Sequence, residues 1–237
     1  IFLTRNVVKD GSEYFGPYTS IRTAKALLDL IKELYTLRTC NYDLSKEKIA
    51  AKKYKVCLEY HLGNCKAPCE NLQTEENYQA DVSAIRNIVK GNFKESLEKF
   101  SELMQGFASK MEFEEAHKIK EKIDQLANYQ AKSTVVNPSI NNVDVFSVIS
   151  DESYGYVNFF KIANGSIIQS HTTEIKKKLD ESDKELLELS IIEIRQRFNS
   201  QSKEIYVPFA VELGDDIKVT IPKTGDKKRI VELSIRN

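Results

Sequence analysis

Cys40, Cys57, Cys65 and Cys69 are the only four cysteines in this chain, and they all fall within residues 40–69. Their spacing, C-x16-C-x7-C-x3-C, gathers four soft donors that a reducing compartment keeps as thiols, so the pattern reads as a ligand set. Four thiolates suit tetrahedral zinc and an iron–sulfur cluster equally well. Neither a paired C-x2-C zinc signature nor a ferredoxin run is present, so spacing leaves both open, with four unligated thiols as the plain alternative. His61 is a spare ligand that a complete cysteine set does not need. Arg38, Lys52, Lys53, Lys55 and Lys66 surround the thiols and would offset the negative charge of four thiolates on a metal. Arg38, Lys52, Lys53 and Lys55 are by the same charge candidates for contact with nucleic-acid phosphates.

The rest of the chain must position that set. At 237 residues and 41% hydrophobic content it is long enough for two or three modules with a real core. Lys and Arg total 35 and so do Asp and Glu, giving zero net charge, so no global basic field advertises nucleic acid. No apolar run approaches the roughly 20 residues of a membrane span, and no signal peptide opens the chain, which makes the cytoplasm the default. The opening at Ile1, in what reads as mid-strand sequence, suggests a piece of something larger.

Residues 1–8 are β-branched and apolar, Asp10-Gly11 is a turn signal, and Tyr14 to Pro17 is an aromatic segment that reads as the end of a sheet. Ile21, Ala24, Leu27, Leu28, Ile31 and Leu34 recur at three and four and predict a helix that delivers the chain to Cys40. Little regular structure is expected over 40–72. A helix follows from Thr74 to about Lys90, stopped by Gly91-Asn92. The stripes Phe93, Leu97, Phe100, Met104, Phe107 and Phe113, Ala116, Ile119, Ile123, Leu126 predict an antiparallel helical hairpin. Residues 131–142 read as a linker. Beyond it the period changes: strands are expected at 143–150, 154–162 and 166–175, the last two joined across Asn164-Gly165. Ser182-Asp-Lys-Glu185 is a capping box, and helix and strand then alternate. The fold class is α+β with several modules, the last an α/β domain in an order compatible with a ribonuclease H-like fold.

Within that last domain Asp144, Asp151, Glu152 and Asp183 are the acids near the strands, and no clear partner carboxylate follows on the second or third strand. A nuclease site needs carboxylates converging on paired metals, so the domain reads as a non-catalytic scaffold. Lys176-Lys-Lys178 reads mainly as a solvated run, and Tyr14, Phe15 and Tyr18 as local packing beside Gly-Pro rather than a base-stacking surface.

Taken together, Tyr14-Phe-Gly-Pro-Tyr-Thr-Ser20, Leu37-Arg-Thr-Cys40, Cys57-Leu-Glu-Tyr-His-Leu-Gly-Asn-Cys-Lys-Ala-Pro-Cys69 and Met111-Glu-Phe-Glu-Glu-Ala116 closely resemble the middle of the UvrC family, the incision subunits of bacterial nucleotide excision repair. The likeness extends to Val207-Pro-Phe209 and Ile221-Pro-Lys-Thr-Gly-Asp-Lys-Lys-Arg229, in family order. It implies the tail of a GIY-YIG nuclease over 1–35, a cluster-binding region over 36–72, and a helical region over 73–130 with a UVR hairpin at about 93–128. After the 131–142 linker it implies an α/β domain over 143–237, which precedes a catalytic ribonuclease H-like domain. The resemblance implies a 4Fe-4S cluster on Cys40, Cys57, Cys65 and Cys69, with zinc as the alternative. It implies UvrB as the partner, contacted by Phe113, Glu114, Glu115, Ala116, Lys120 and Ile123, and damaged double-stranded DNA in the complex. UVR motifs commonly use arginine where this chain has Lys120, which keeps the charge and loses the bidentate geometry. Catalytic residues and their divalent metals would lie before Ile1 and after Asn237. The competing class is a metal-stabilised UVR-motif adaptor with no role in incision.

Overall fold

The computed structural model describes residues 1–133, 135–177, 181–214 and 216–237, in two units. One comprises 1–4 and 25–129, the other 5–24 and 130–237.

The first unit is helical. Helix α1 (Ile21–Leu34) sends Leu27, Leu30, Ile31 and Leu34 inward at helical spacing. Two short helices, α2 (Lys46–Ala50) and α3 (Leu58–His61), and a 3₁₀ turn at Pro68–Glu70 punctuate the cysteine region. Helix α4 (Glu75–Val89) starts on Thr74, whose hydroxyl accepts from the Asn77 amide, and contributes Ile85 and Ile88. Helices α5 (Lys94–Ser109) and α6 (Phe113–Ser133) follow, joined by a short turn. Phe93, Ser96, Phe100, Ala116 and Leu126 are buried in this stretch. Tyr35, just past α1, lies 5.8 Å ring to ring from Phe100 and donates to Ser96 Oγ at 3.3 Å. Lys122 of α6 donates to the Leu34 carbonyl at 2.6 Å, closing the C-terminal end of α1 where the helix dipole favours a cation.

Several helices end in the same way. After α4, Gly91 takes φ +78°, and the Asn92 and Gly91 amides donate to the Asn87 and Ile88 carbonyls, a Schellman stop. After α5 the same pair of bonds runs from Glu112 to Phe107 and from Met111 to Ala108, but the left-handed residue is Met111 at φ +62°. Lys52 occupies that position after α2, at φ +50°.

The second unit is built on a five-stranded sheet in the order β3-β2-β1-β4-β5. Strands β1 (Val143–Ser150), β2 (Tyr154–Ala163) and β3 (Ser166–Lys176) are antiparallel neighbours. Asn164 and Gly165 both have positive φ in the turn between β2 and β3, as a two-residue hairpin of this hand requires. Asp151 Oδ1 accepts from the Ser153 and Tyr154 amides at 2.7 Å and closes the turn between β1 and β2. Helix α7 (Asp183–Arg197) begins in a complete capping box of Ser182 and Glu185. It carries the chain to β4 (Glu204–Tyr206), which pairs parallel to β1, and β5 (Lys218–Thr220) pairs parallel to β4. Helix α8 (Gly225–Arg236) ends the chain.

Central strand β1 is buried on both faces, which is why its sequence shows no alternation. Phe146 and Val148 join Leu187, Ile191 and Ile194 of α7, whereas Val143 and Val145 join Ile230 and Val231 of α8. Residues 131–142, expected as a linker, contribute packing. Helix α6 runs to Ser133, Val136 and Ile140 are buried against the α8 side of the sheet, and the Val135 and Val136 amides donate to the Gly165 carbonyl. Residues 1–8 form no strand, because their apolar side chains find no cover: Phe2 and Val7 are among the exposed apolar residues. The neighbouring Gly16-Pro17 segment, with its cis peptide bond, lies along edge strand β3, where Pro17 O accepts from the Ser170 amide at 2.9 Å.

Asp144 is wholly buried beneath α7. Its carboxylate receives Arg195 Nη1 at 2.5 Å, Lys161 Nζ at 3.1 Å, and the hydroxyls of Ser200 and Ser202. Arg195 also donates to the Ser202 carbonyl at 2.7 Å, so β1, β2, α7 and the loop before β4 meet at one charge. Removing the anion strands two largely buried cations. Asp144→Asn is therefore expected to lower unfolding stability by about 3 kcal/mol, read from urea denaturation, and a loss under about 1 kcal/mol would count against this role. Met111 is 79% exposed, so its side chain contributes little packing while its backbone bears left-handed strain. Met111→Gly is expected to raise stability by about 0.5–1 kcal/mol in the same assay, the relief of strain less the added chain entropy.

Candidate metal centre and docking hairpin

No side chain from Thr36 through Lys66 is fully buried, so the cysteine region lacks a hydrophobic core of its own. Polar tethers and turns shape it. Ala67 and Asn71, both left-handed, bracket the 3₁₀ turn and bring Cys69 inward beside buried Ala67 and Pro68. The Cys69 thiol donates to the Lys55 carbonyl at 3.9 Å, and the Val56 amide donates to Glu70 Oε1 at 3.0 Å, so residues 55–56 lie against the turn. Cys57 precedes α3, and Cys65 follows the glycine stop at Gly63. Lys66 pairs with Asp81 at 2.9 Å, and Gln73 donates to the same carboxylate, fastening the loop to α4.

Burial pushes the Cys69 thiol up, and the charges of Cys40, Cys65 and Cys57 push it further in the same direction. The other three thiols therefore lie within charge–charge reach of Cys69. In kind and number the four fit a four-thiolate centre. As placed they stand further apart than metal–sulfur bonding requires: among the described residues no three His, Cys, Asp or Glu side chains are close enough to hold a metal ion. His61 is exposed and packs edge-on against Tyr60 at 5.5 Å.

Of the basic candidates, Arg38 is committed: its Nη1 donates to the Tyr42 carbonyl at 2.6 Å, and it hydrogen-bonds the Tyr78 hydroxyl. Lys52, Lys53 and Lys55 are exposed. Elsewhere, Lys177 donates to Ser150 Oγ and the Asp151 carbonyl, while Lys178 lies outside the described residues. Tyr14 bonds the Val8 backbone, and the Tyr18 ring lies against Gly16. Asp183 accepts from Ser150 Oγ at 2.6 Å, so Asp144, Asp151 and Asp183 each serve a local structural bond.

On the hairpin, Phe113 opens α6 and is 67% exposed instead of packing on α5, as periodicity alone would have it. Glu114, Glu115 and Lys120 are exposed around it, with Glu115 paired to Lys118 at 2.6 Å. Ala116 is buried and Ile123 half-buried, so these two present little surface to a partner. Met111 and Leu103 are further exposed apolar residues that sequence reasoning did not single out, and α5 bears a shallow groove lined by Leu103, Gly106, Phe107 and Lys110. Only Met111, two residues before Phe113, carried a readable signal.

Residues 1–88 match the UvrC/Cho excinuclease middle domain, and residues 142–237 match the UvrC ribonuclease H-like domain. The chain is 67% identical over its full length to the UvrABC system protein C of Christiangramia forsetii, 66% to that of Flavobacterium johnsoniae and 48% to that of Bacteroides fragilis. It spans about 40% of the length of these relatives. No solved structure gives a significant match. Among the described residues no helix is long and apolar enough to cross a membrane. Family matches at both ends of the chain and relatives of high identity along all of it agree: the chain belongs to the UvrC family.

Proposed function

We propose that this chain is part of the incision subunit of bacterial nucleotide excision repair, acting in the cytoplasm. In this reading the α5–α6 pair is a UVR hairpin that docks on UvrB, and the cysteine region holds a metal centre beside damaged double-stranded DNA. Residues near the start of the chain belong to the tail of a GIY-YIG nuclease, and the five-stranded domain, although it matches the family's ribonuclease H-like domain, is a scaffold without nuclease activity, because Asp144 of its central strand is already held by Lys161, Arg195, Ser200 and Ser202. Hydrolysis and its divalent metals belong to other parts of the subunit. The observation that carries the reading is Phe113, left 67% exposed at the tip of a two-helix hairpin in a chain whose relatives are UvrABC proteins along its entire length. An exposed aromatic two residues after the exposed Met111 gives a partner an apolar anchor, and Glu114, Glu115 and Lys120 supply a charged rim that sets its orientation. The metal centre is supported by the donor set and by the missing core: four thiolates bound to a 4Fe-4S cluster, or to zinc, supply cross-links that a loop without buried side chains otherwise lacks. An adaptor with no role in incision is not favoured, because the family match extends beyond the hairpin to both flanking domains.

Phe113→Ala is expected to weaken binding to UvrB by at least about 30-fold in a calorimetric titration while leaving the melting temperature in place, and unchanged affinity would remove the hairpin from the interface. Anaerobically purified protein should contain iron and sulfide near the four-iron ratio, lost in Cys57→Ser. Zinc at one per chain would select the alternative, and neither metal would reject the centre.

A further inference from the structure

Beside the cysteines the rings of Tyr42 and Tyr54 lie parallel, with centroids 4.4 Å apart and planes 8° apart. Tyr54 is half-buried and Tyr42 is 43% exposed, so the inner ring backs the outer one and leaves an aromatic face in water. Both ends of the pair are held. The Tyr42 carbonyl is clamped by Arg38, and Asp43 turns the next residues through the Ser45 amide and an ion pair to Lys48. Tyr54 follows the left-handed stop at Lys52. Lys53 and Lys55 flank Tyr54 in the run Lys52-Lys-Tyr-Lys55, and among the described residues none of the three lysines finds a carboxylate.

We propose that Tyr42, backed by Tyr54, is a stacking platform for an unpaired base of a DNA strand whose flanking phosphates are met by Lys53 and Lys55. A pre-stacked ring presents a rigid π-face at little entropic cost, any base can stack on it, and adjacent unpaired cations supply the charge that a phosphodiester backbone seeks. A duplex keeps its bases inside the stack and offers the ring nothing, so the platform selects strand that has been opened. The inference rests on the reading of the cysteine region as facing DNA and adds to it the tyrosines and the unpaired state of the DNA.

The test uses the full chain with labelled oligothymidylate, a blunt duplex of equal length and oligouridylate, followed by anisotropy. Oligothymidylate is expected to bind more tightly than duplex, with Tyr42→Leu weakening it about tenfold. The double change Lys53→Ala, Lys55→Ala should lower the slope of log affinity against log salt by about 1.4. The chain has no tryptophan, so Tyr42→Trp, which preserves the aromatic face, places a single reporter at the platform. Its emission should be quenched by oligothymidylate and not by duplex. Unquenched tryptophan, or lysine variants that weaken binding while Tyr42→Leu does not, would overturn the platform and leave backbone contact standing. Tighter binding of oligouridylate would overturn the assignment to DNA. No binding of any nucleic acid would overturn both the platform and the DNA-facing reading, without touching UvrB docking.

Discussion

The physical constraint on which the helical unit turns is a loop that has to keep a definite shape without a core. Between Thr36 and Lys66 no side chain is fully buried, so the hydrophobic effect, which organises most folded segments, has almost nothing to act on there. What remains is directional. Left-handed residues at Lys52, Gly63, Ala67 and Asn71 set the path, Glu70 takes the Val56 amide, Lys66 reaches Asp81, and Arg38 reaches Tyr42. Each such exposed bond contributes on the order of 1 kcal/mol, which is small against the entropy of ordering so many residues. In the proposed reading, a metal centre bound by Cys40, Cys57, Cys65 and Cys69 would make up the difference.

The sheet unit meets the opposite situation. Its central strand is buried on both faces, hydrophobic clusters lie under α7 and α8, and a fully buried carboxylate sits among them. Asp144 is retained with two cations and two hydroxyls, an arrangement that joins strands and helix at a fixed register and leaves no lone pair directed at an outside metal. An acid at the start of the central strand of a ribonuclease H-like sheet invites a catalytic reading, and here that carboxylate is held by Lys161, Arg195, Ser200 and Ser202. The α5–α6 stretch departs from both patterns: Phe100, Ala116 and Leu126 are buried, and the turn between the helices leaves Phe113 and Met111 in water.

The regular elements were legible because their causes are local. The capping box at Ser182, the Gly91 stop and the Asn164-Gly165 turn are each decided by neighbours within a few residues, and the expected strands agree with the observed ones to within a residue or two. The same local logic misled at residues 1–8, where β propensity had no partner strand to realise it, and at Val136 and Ile140, whose polar neighbours disguised two core residues.

The amino-acid order by itself determined the clustering of the four cysteines in sequence, the pair of helices α5 and α6 and the order of strands and helices, since residue spacing, periodicity and turn geometry are properties of short stretches. Only tertiary structure decided that Asp144 meets Lys161, Arg195, Ser200 and Ser202, that Tyr42 stacks on Tyr54, that Arg38 is already occupied, and that Phe113 faces water. Burial and pairing depend on which surfaces the folded chain brings opposite one another, and residues far apart in sequence carry no local mark of that encounter.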